Sequence, residues 1–359
     1  MTRVALIVTP HGFGHAARTA AVTAELARRR PDLELEIRSA VPRWFFESSL
    51  DAPIRYLDER WDVGLVQRGP LAEDLPATLA ALERLWAGDA VGRAAARLSA
   101  ARLDLVVTDA APLAVAAARR AGIPVVLIES FTWDWIYQGY LAAEPGLAPW
   151  IERLAPLPER ADLRLRPEPA CGEAAGHRRL APIARAPGER RAAIRARLRI
   201  APERALALVS MGGVEGGLGG LERCRELAGV DFVVPGGAAS ERRDGNVVLL
   251  PHRTPVAHPD LVAAADVVVG KLGYSTVAEA FAAGTRFAYL PRPAFRESAV
   301  LAEFVSARLR SLELDPEAFA AGRWVEGLPA LLEAPRSEPG DASGAEVAAE
   351  EILARLDRA

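Results

Sequence analysis

The sequence predicts an α/β protein of two parallel-sheet domains facing each other across a cleft. Three observations carry this. The chain has 359 residues, more than one ordinary domain holds. Short apolar runs of the buried-strand kind alternate with helix-spaced segments in two separate series. Between the series, from Leu154 to Pro187, prolines recur and apolar periodicity fades. That places the connection between domains near Pro169 to Pro187.

In the first series, Val4 to Val8 is a strand that ends at Thr9-Pro10. The turn His11-Gly12-Phe13-Gly14-His15 follows, then a helix from about Ala16 to Arg29. Leu33 to Ile37 alternates as a second strand, and Pro42 to Phe46 reads as an aromatic loop. Residues 75–99 hold one or two helices. Leu103 to Thr108 is a buried strand closed by Asp109, a helix runs from about Leu113 to Ala121, and Val125 to Ile128 is a further strand.

The second series opens with a helix at Arg190 to Leu198 and a strand at Ala205 to Ser210. A glycine-rich loop begins at Gly212-Gly213 and leads to a helix near Leu221 to Leu227. Strands follow at Val230 to Val234 and Val247 to Leu250, then a short helix at Asp260 to Ala265. Val267 to Val269 enters the turn Gly270-Lys271-Leu272-Gly273-Tyr274, a helix starts at Ser275-Thr276, and Phe287 to Leu290 is a strand. The expected division is 1–175, 176–340 and a closing segment 341–359 whose helix is Glu346 to Leu356.

Composition narrows the function. Apolar residues make up 50% of the chain and charged residues 25%, enough for ordinary cores. The net charge of -3, with arginines scattered among acids, argues against nucleic acid as the main partner. Two cysteines, Cys171 and Cys224, have neither metal-ligand spacing nor a disulfide framework, and a reducing cytoplasm suits them. There is no signal-peptide pattern at the start, and no apolar run reaches the roughly 20 residues of a membrane span. Peripheral contact with a membrane surface stays open.

Open parallel sheets bind ligands beyond the carboxyl ends of their strands, and two such sheets make a cleft. His15 sits there, just past the first strand, as a candidate base for a hydroxyl proton. Asp109, at the end of another strand, could hold its tautomer. Helix capping explains each of them equally well, and His11 is the competing base. Lys271 is the sole lysine among 44 basic residues, and it stands at a glycine-flanked turn before a helix. A compact ammonium beside free backbone N–H groups suits a diphosphate. Thr276 and Glu279 fit a capping box, and by spacing alone the cap is favoured over a ligand role for Glu279. Gly212 and Gly213 are a weak phosphate-loop signal. There is no G-x-G-x-x-G after the first strand, no Walker A and no D-x-D to hold a metal–nucleotide complex, so neither a metal nor a bound cofactor is expected. With His11 and Phe13, the aromatics Trp44, Phe45, Phe46, Trp133, Trp135 and Tyr137 are candidates to line the acceptor side, core packing being the competing account for at least half. His252 and His258 read as surface histidines.

The blocks HGFGHAAR (11–18), FTWDWIY (131–137), MGG (211–213) and HPDLVAAADVVVGKLGYSTVAEA (258–280), with the spacing of Arg292, Phe295 and Glu297, resemble the GT-B glycosyltransferases. UDP-glycosyltransferases and the peptidoglycan N-acetylglucosaminyltransferase are the general relatives. A nearer likeness is to the glycosyltransferase-like N-terminal half of plant L-arabinokinase, and no kinase-type Pro-x-x-x-Gly-Leu-x-Ser-Ser loop occurs. The resemblance implies two Rossmann-like domains and transfer of a sugar from a UDP-sugar to an unidentified acceptor hydroxyl, inverting and metal-independent. It implies that His15 is the base and Asp109 its assistant. It implies that Lys271, Gly273, Ser275 and Thr276 face the diphosphate and that Glu279 binds ribose. Arg296 and Glu297 fall in the segment that meets the donor sugar, where the usual Asp-Gln pair is missing. The terminal helix is implied to cross back to the first domain. Two other readings stand beside transfer. One is a nucleotide-sugar-binding protein without transferase activity. The other is a UDP-sugar epimerase, which would need a further carboxylate such as Glu129.

Overall fold

The computed structural model describes residues 2–173, 176–211 and 220–358. The glycine pair Gly212 and Gly213 lies outside the described residues. The first series builds β1 (Arg3–Val8), β2 (Glu34–Ser39) and β3 (Arg55–Asp58), then a hairpin of β4 (Gln67–Gly69) and β5 (Ala72–Glu73). It continues with β6 (Leu105–Asp109), β7 (Val125–Ile128), β8 (Leu163–Pro167) and β9 (Arg178–Leu180). The second builds β10 (Ala205–Ser210), β11 (Val230–Pro235), β12 (Arg242–Asp244), β13 (Val247–Leu250), β14 (Val267–Lys271), β15 (Arg286–Leu290) and β16 (Ser311–Glu313).

Two seven-stranded sheets result, in the orders β3-β2-β1-β6-β7-β8-β9 and β12-β13-β11-β10-β14-β15-β16. Every pairing is parallel except β12 with β13 in the second sheet and the separate β4–β5 hairpin. Alternate residues of β1 feed two cores. Ala5 and Ile7 pack on one face, Val4, Leu6 and Val8 on the other. Leu206 and Leu208 of β10 likewise separate from Ala207 and Val209. Burial on both faces is why these strands are unbroken apolar runs.

Each sheet reverses direction once, between β1 and β6 in the first and between β10 and β14 in the second. Ligands of such sheets bind at this reversal, where the loops of adjacent strands part. Val8 lies opposite Asp109, and Ser210 opposite Gly270. The two reversals face each other. The helix Gly14–Arg29 begins after β1 and the helix Tyr274–Ala283 after β14. A Cβ added to Gly14 would lie 3.8 Å from Ser275 Oγ, so the two helix starts nearly touch.

Three local expectations change. Pro42 to Phe46 is not a loop, because Arg43–Glu47 is a helical turn that buries Phe45 and Phe46. The stretch 154–187 contains β8 and β9, both in the first sheet, so the chain stays with that sheet beyond residue 175. It returns with the helix Gly344–Leu356, which packs against Gly14–Arg29. The capping box also fails. Gly273 is the N-cap and caps nothing with a side chain, Thr276 is inside the first turn, and Glu279 is engaged elsewhere.

Candidate active site in the interdomain cleft

β1 and β6 are neighbours, so the first turn of the helix after β1 hangs over the end of β6. His15 Nδ1 lies 2.7 Å from Asp109 Oδ1, both side chains buried. The carboxylate cannot donate, so Nδ1 carries the proton and Nε2 is left as the acceptor. Arg18, one helical turn on, clamps the same carboxylate, Nε to Oδ2 at 2.8 Å and Nη2 to Oδ1 at 2.6 Å. Its Nη1 donates to Ser130 Oγ at 3.0 Å. Burial by itself would raise the Asp109 carboxyl, but the Arg18 charge and the bonds from Arg18 and His15 outweigh it and leave it below the usual carboxylate range. Burial holds His15 below the ordinary imidazole range, against the pull of Asp109. The sequence reading missed Arg18, although its i,i+3 spacing from His15 puts both on one face of a helix.

The second domain closes the opposite wall. Gly270 permits this, since a Cβ there would lie 1.9 Å from the Ser210 carbonyl oxygen. Close approach of β14 to β10 delivers Lys271 to the cleft, 8% exposed, with Nζ 3.5 Å from the Pro70 carbonyl of the hairpin. Burial, then the nearby Arg292, lower its ammonium to about 8. Arg292 pairs with Glu73 of the hairpin and lies 4.2 Å over the Phe295 ring. The cleft between the walls encloses about 630 Å³, part of it open to solvent. His15, Lys271, Gly273, Ser275, Thr276 and Glu297 line it together.

Glu297 is buried and accepts from Ser130 Oγ at 3.3 Å, a bond between the domains. Burial raises its carboxyl to about 7 despite Arg18 and Arg292. Arg296, one residue earlier, turns away. It donates to the Trp135 carbonyl at 2.7 Å and Gln138 at 2.8 Å and lies 4.1 Å over the Trp135 ring.

Glu279 is buried and saturated by side chains. Arg185 Nε donates to one oxygen at 2.9 Å, and His258 Nδ1 lies 2.7 Å from the other. His258 Nε2 reaches Ser210 Oγ at 3.0 Å. Burial would raise the Glu279 carboxyl, but Arg185 and His258 outweigh it and lower it. His258 is therefore part of a buried relay rather than a surface histidine, whereas His252 is exposed. No sequence signal points to Arg185.

The aromatics divide. Phe46, Trp133 and Tyr137 are wholly buried, and Trp133 donates its indole N–H to the Ala110 carbonyl at 2.9 Å. Trp44 and Trp135 are half-buried. Phe13 stacks on Phe45 and approaches Trp44 edge-on. His11 lies between Trp133 and Phe295, with Nδ1 3.2 Å from the Leu65 carbonyl oxygen. Burial, then Arg292, push its imidazole well below the usual range, so it stays neutral. Asp62, which no motif marks, accepts from Thr9 Oγ1 at 2.5 Å, and burial raises it to about 7. Glu129 is tied to Arg164 at 2.7 Å and does not line the cleft. Among the described residues no group of His, Cys, Asp and Glu is arranged to hold a metal ion.

No protein-family model matches the sequence. The chain is 27% identical to L-arabinokinase of Arabidopsis thaliana over 358 residues, 96% of its own length and 33% of that protein's. It thus spans about a third of this curated relative. Among solved structures, spinosyn forosaminyltransferase SpnP superposes with a TM-score of 0.61 at 18% identity, covering 99% of this chain and 98% of that one. MurG of Acinetobacter baumannii does so at 0.53 and 17%, covering all of both chains. The chain therefore has the GT-B fold, the two-domain architecture of these glycosyltransferase structures.

Proposed function

We propose that the protein is an inverting, metal-independent glycosyltransferase that moves a sugar from a nucleotide-diphosphate sugar, with UDP as the nucleotide, to an acceptor hydroxyl. The observation that carries this is the opposition of the His15–Asp109 pair to Lys271 and the start of the helix Tyr274–Ala283 across one cleft. The base side deprotonates the acceptor: its proton passes to His15 Nε2, and its oxygen attacks the anomeric carbon from the face opposite the leaving group. Asp109 stabilises the imidazolium without taking the proton. The bond from the anomeric carbon to the diphosphate breaks, and the diphosphate keeps the electron pair. Lys271 and the backbone N–H groups of the first helical turn stabilise that charge. Arg292 stands close enough to join them once Glu73 is displaced. Glu279 binds the ribose hydroxyls, exchanging one of its two present partners for them. The half-buried Trp44 and Trp135 offer flat apolar surface to the acceptor. Two free, buried cysteines agree with work in the cytoplasm.

A reading as a nucleotide-sugar-binding module draws on the match to one third of a larger enzyme. One experiment serves both readings. Melting is followed with UDP, GDP, TDP and ADP and their common sugar conjugates, since a ligand of the folded state raises the midpoint. A rise with one nucleotide, lost in Glu279→Ala and Lys271→Ala, supports the donor site. No rise with any of them defeats both readings. Bound donor with neither transfer nor hydrolysis selects the binding module.

A further inference from the structure

We infer that the β4–β5 hairpin carries a sugar-reading residue, Gln67, which recognises hydroxyl groups of the donor sugar from the first domain's side of the cleft. The inference rests on the nucleotide-sugar reading above and extends it to a residue that no motif marks.

The hairpin belongs to neither large sheet, yet it is fixed against the second domain at two points. The Pro70 carbonyl accepts from Lys271, and Glu73 pairs with Arg292. These contacts set the position of β4 relative to the wall assigned to the diphosphate. Gln67 is on that strand, and its side chain lines the cleft with His11, Lys271 and Arg292. Its Nε2 is cut off from solvent and has no hydrogen-bond partner among the described residues. Folded proteins rarely leave a buried amide N–H unpaired unless something else fills the place.

The neighbours show what that ligand group is. Lys271 and Arg292 only donate, so neither can satisfy an amide N–H, and both suit phosphate oxygens. The amide of Gln67 is neutral and carries donors and an acceptor on one plane. A hydroxyl has the same double character, and a pair of adjacent hydroxyls matches a primary amide in both roles. Gln67 is thus a neutral reader beside a cationic wall. Across the cleft, Arg296 is committed to Trp135 and Gln138 and leaves this duty unfilled on its side.

The test measures binding by calorimetry with UDP and TDP, each alone and as the glucose and galactose conjugates, to wild type, Gln67→Ala and Gln67→Asn. The inference expects Gln67→Ala to weaken at least one sugar conjugate about tenfold, the loss of roughly one neutral hydrogen bond, while the free nucleotide keeps its affinity within about twofold. Gln67→Asn keeps the amide but shortens its reach, so the same selective loss is expected, and it serves if the alanine variant fails to fold. Equal weakening of nucleotide and conjugate, or no weakening, overturns the inference and leaves the nucleotide site standing. Wild type that binds none of the compounds removes the nucleotide reading and this inference with it.

Discussion

Arg18 and Asp109 form a two-pronged ion pair out of water, each side chain about 1% exposed. The guanidinium holds both carboxylate oxygens, so Asp109 can turn only as far as the helix carrying Arg18 allows. His15 is on that same helix. The base, its partner and the clamp therefore move as one body.

Removing the clamp strands a buried carboxylate. Arg18→Met is expected to destabilise the protein by about 3–5 kcal/mol, read as a lower urea midpoint. Arg18→Lys keeps the charge but not the fork, and it should recover only part of the loss. A midpoint unchanged in Arg18→Met would show that the pair contributes little.

His15→Ala is expected to lower transfer by about 10²- to 10⁴-fold, the range of general-base catalysis, with nucleotide affinity unchanged. Single-turnover transfer and calorimetry on the same sample separate the two effects. Transfer at the wild-type rate would move the base elsewhere, with His11 next in position.

Lys271 titrates near 8, lowered by burial and by Arg292. Only the ammonium attracts a diphosphate, so affinity for the free nucleotide should fall as pH rises through about 8, by up to about tenfold per unit. In Lys271→Met the affinity should be lower and this dependence absent. A flat profile in wild type would separate Lys271 from the phosphates.

Glu297 has a folded-state carboxyl near 7, above its ordinary value. The folded protein therefore holds that proton more tightly than the unfolded chain does. Its contribution to stability is complete at about pH 4 and is lost as pH rises to 7 and beyond. Glu297→Gln should leave melting nearly unchanged at pH 5 and raise stability at pH 8 by about 2–3 kcal/mol. A loss of stability at pH 8 would mean that the charged form is the one the site is built to hold.

Gly270→Ala tests how Lys271 is delivered. The added carbon would lie 1.9 Å from the Ser210 carbonyl oxygen, so β14 and β10 must part. A loss of about 1–3 kcal/mol is expected, with weaker nucleotide binding.

Much of the fold was legible because strands of a parallel sheet, covered on both faces, are plain apolar runs, as at Val125–Ile128 and Val267–Val269. β8 escaped notice because Arg164 and Arg166 interrupt its run. Both are buried, Arg164 against Glu129 and Arg166 against the Cys171 and Gly172 carbonyls. Their partners lie far off in sequence and cannot be read from it. The β4–β5 hairpin is too short and too polar to alternate. His15 and Asp109 could be placed on one sheet edge from the strand pattern, but their meeting depended on β1 and β6 being neighbours. Glu279 fitted a cap by spacing, and only the position of Arg185 and His258 shows which partners it took.

The helix Gly344–Leu356 sets the order in which the protein can be completed. Ala345, Ala348, Ala349, Ile352 and Leu356 are part of the core that holds Val4, Leu6 and Val8. Ile183 and Ser343 pair where the chain leaves the first domain and where it returns. The second domain is thus an insertion hung from a two-stranded neck. During synthesis its sheet can close while the first still lacks a wall, and the half that emerges first is finished last. A chain cut at residue 341 would present that open apolar face to chaperones or to other chains, although both sheets had been made in full.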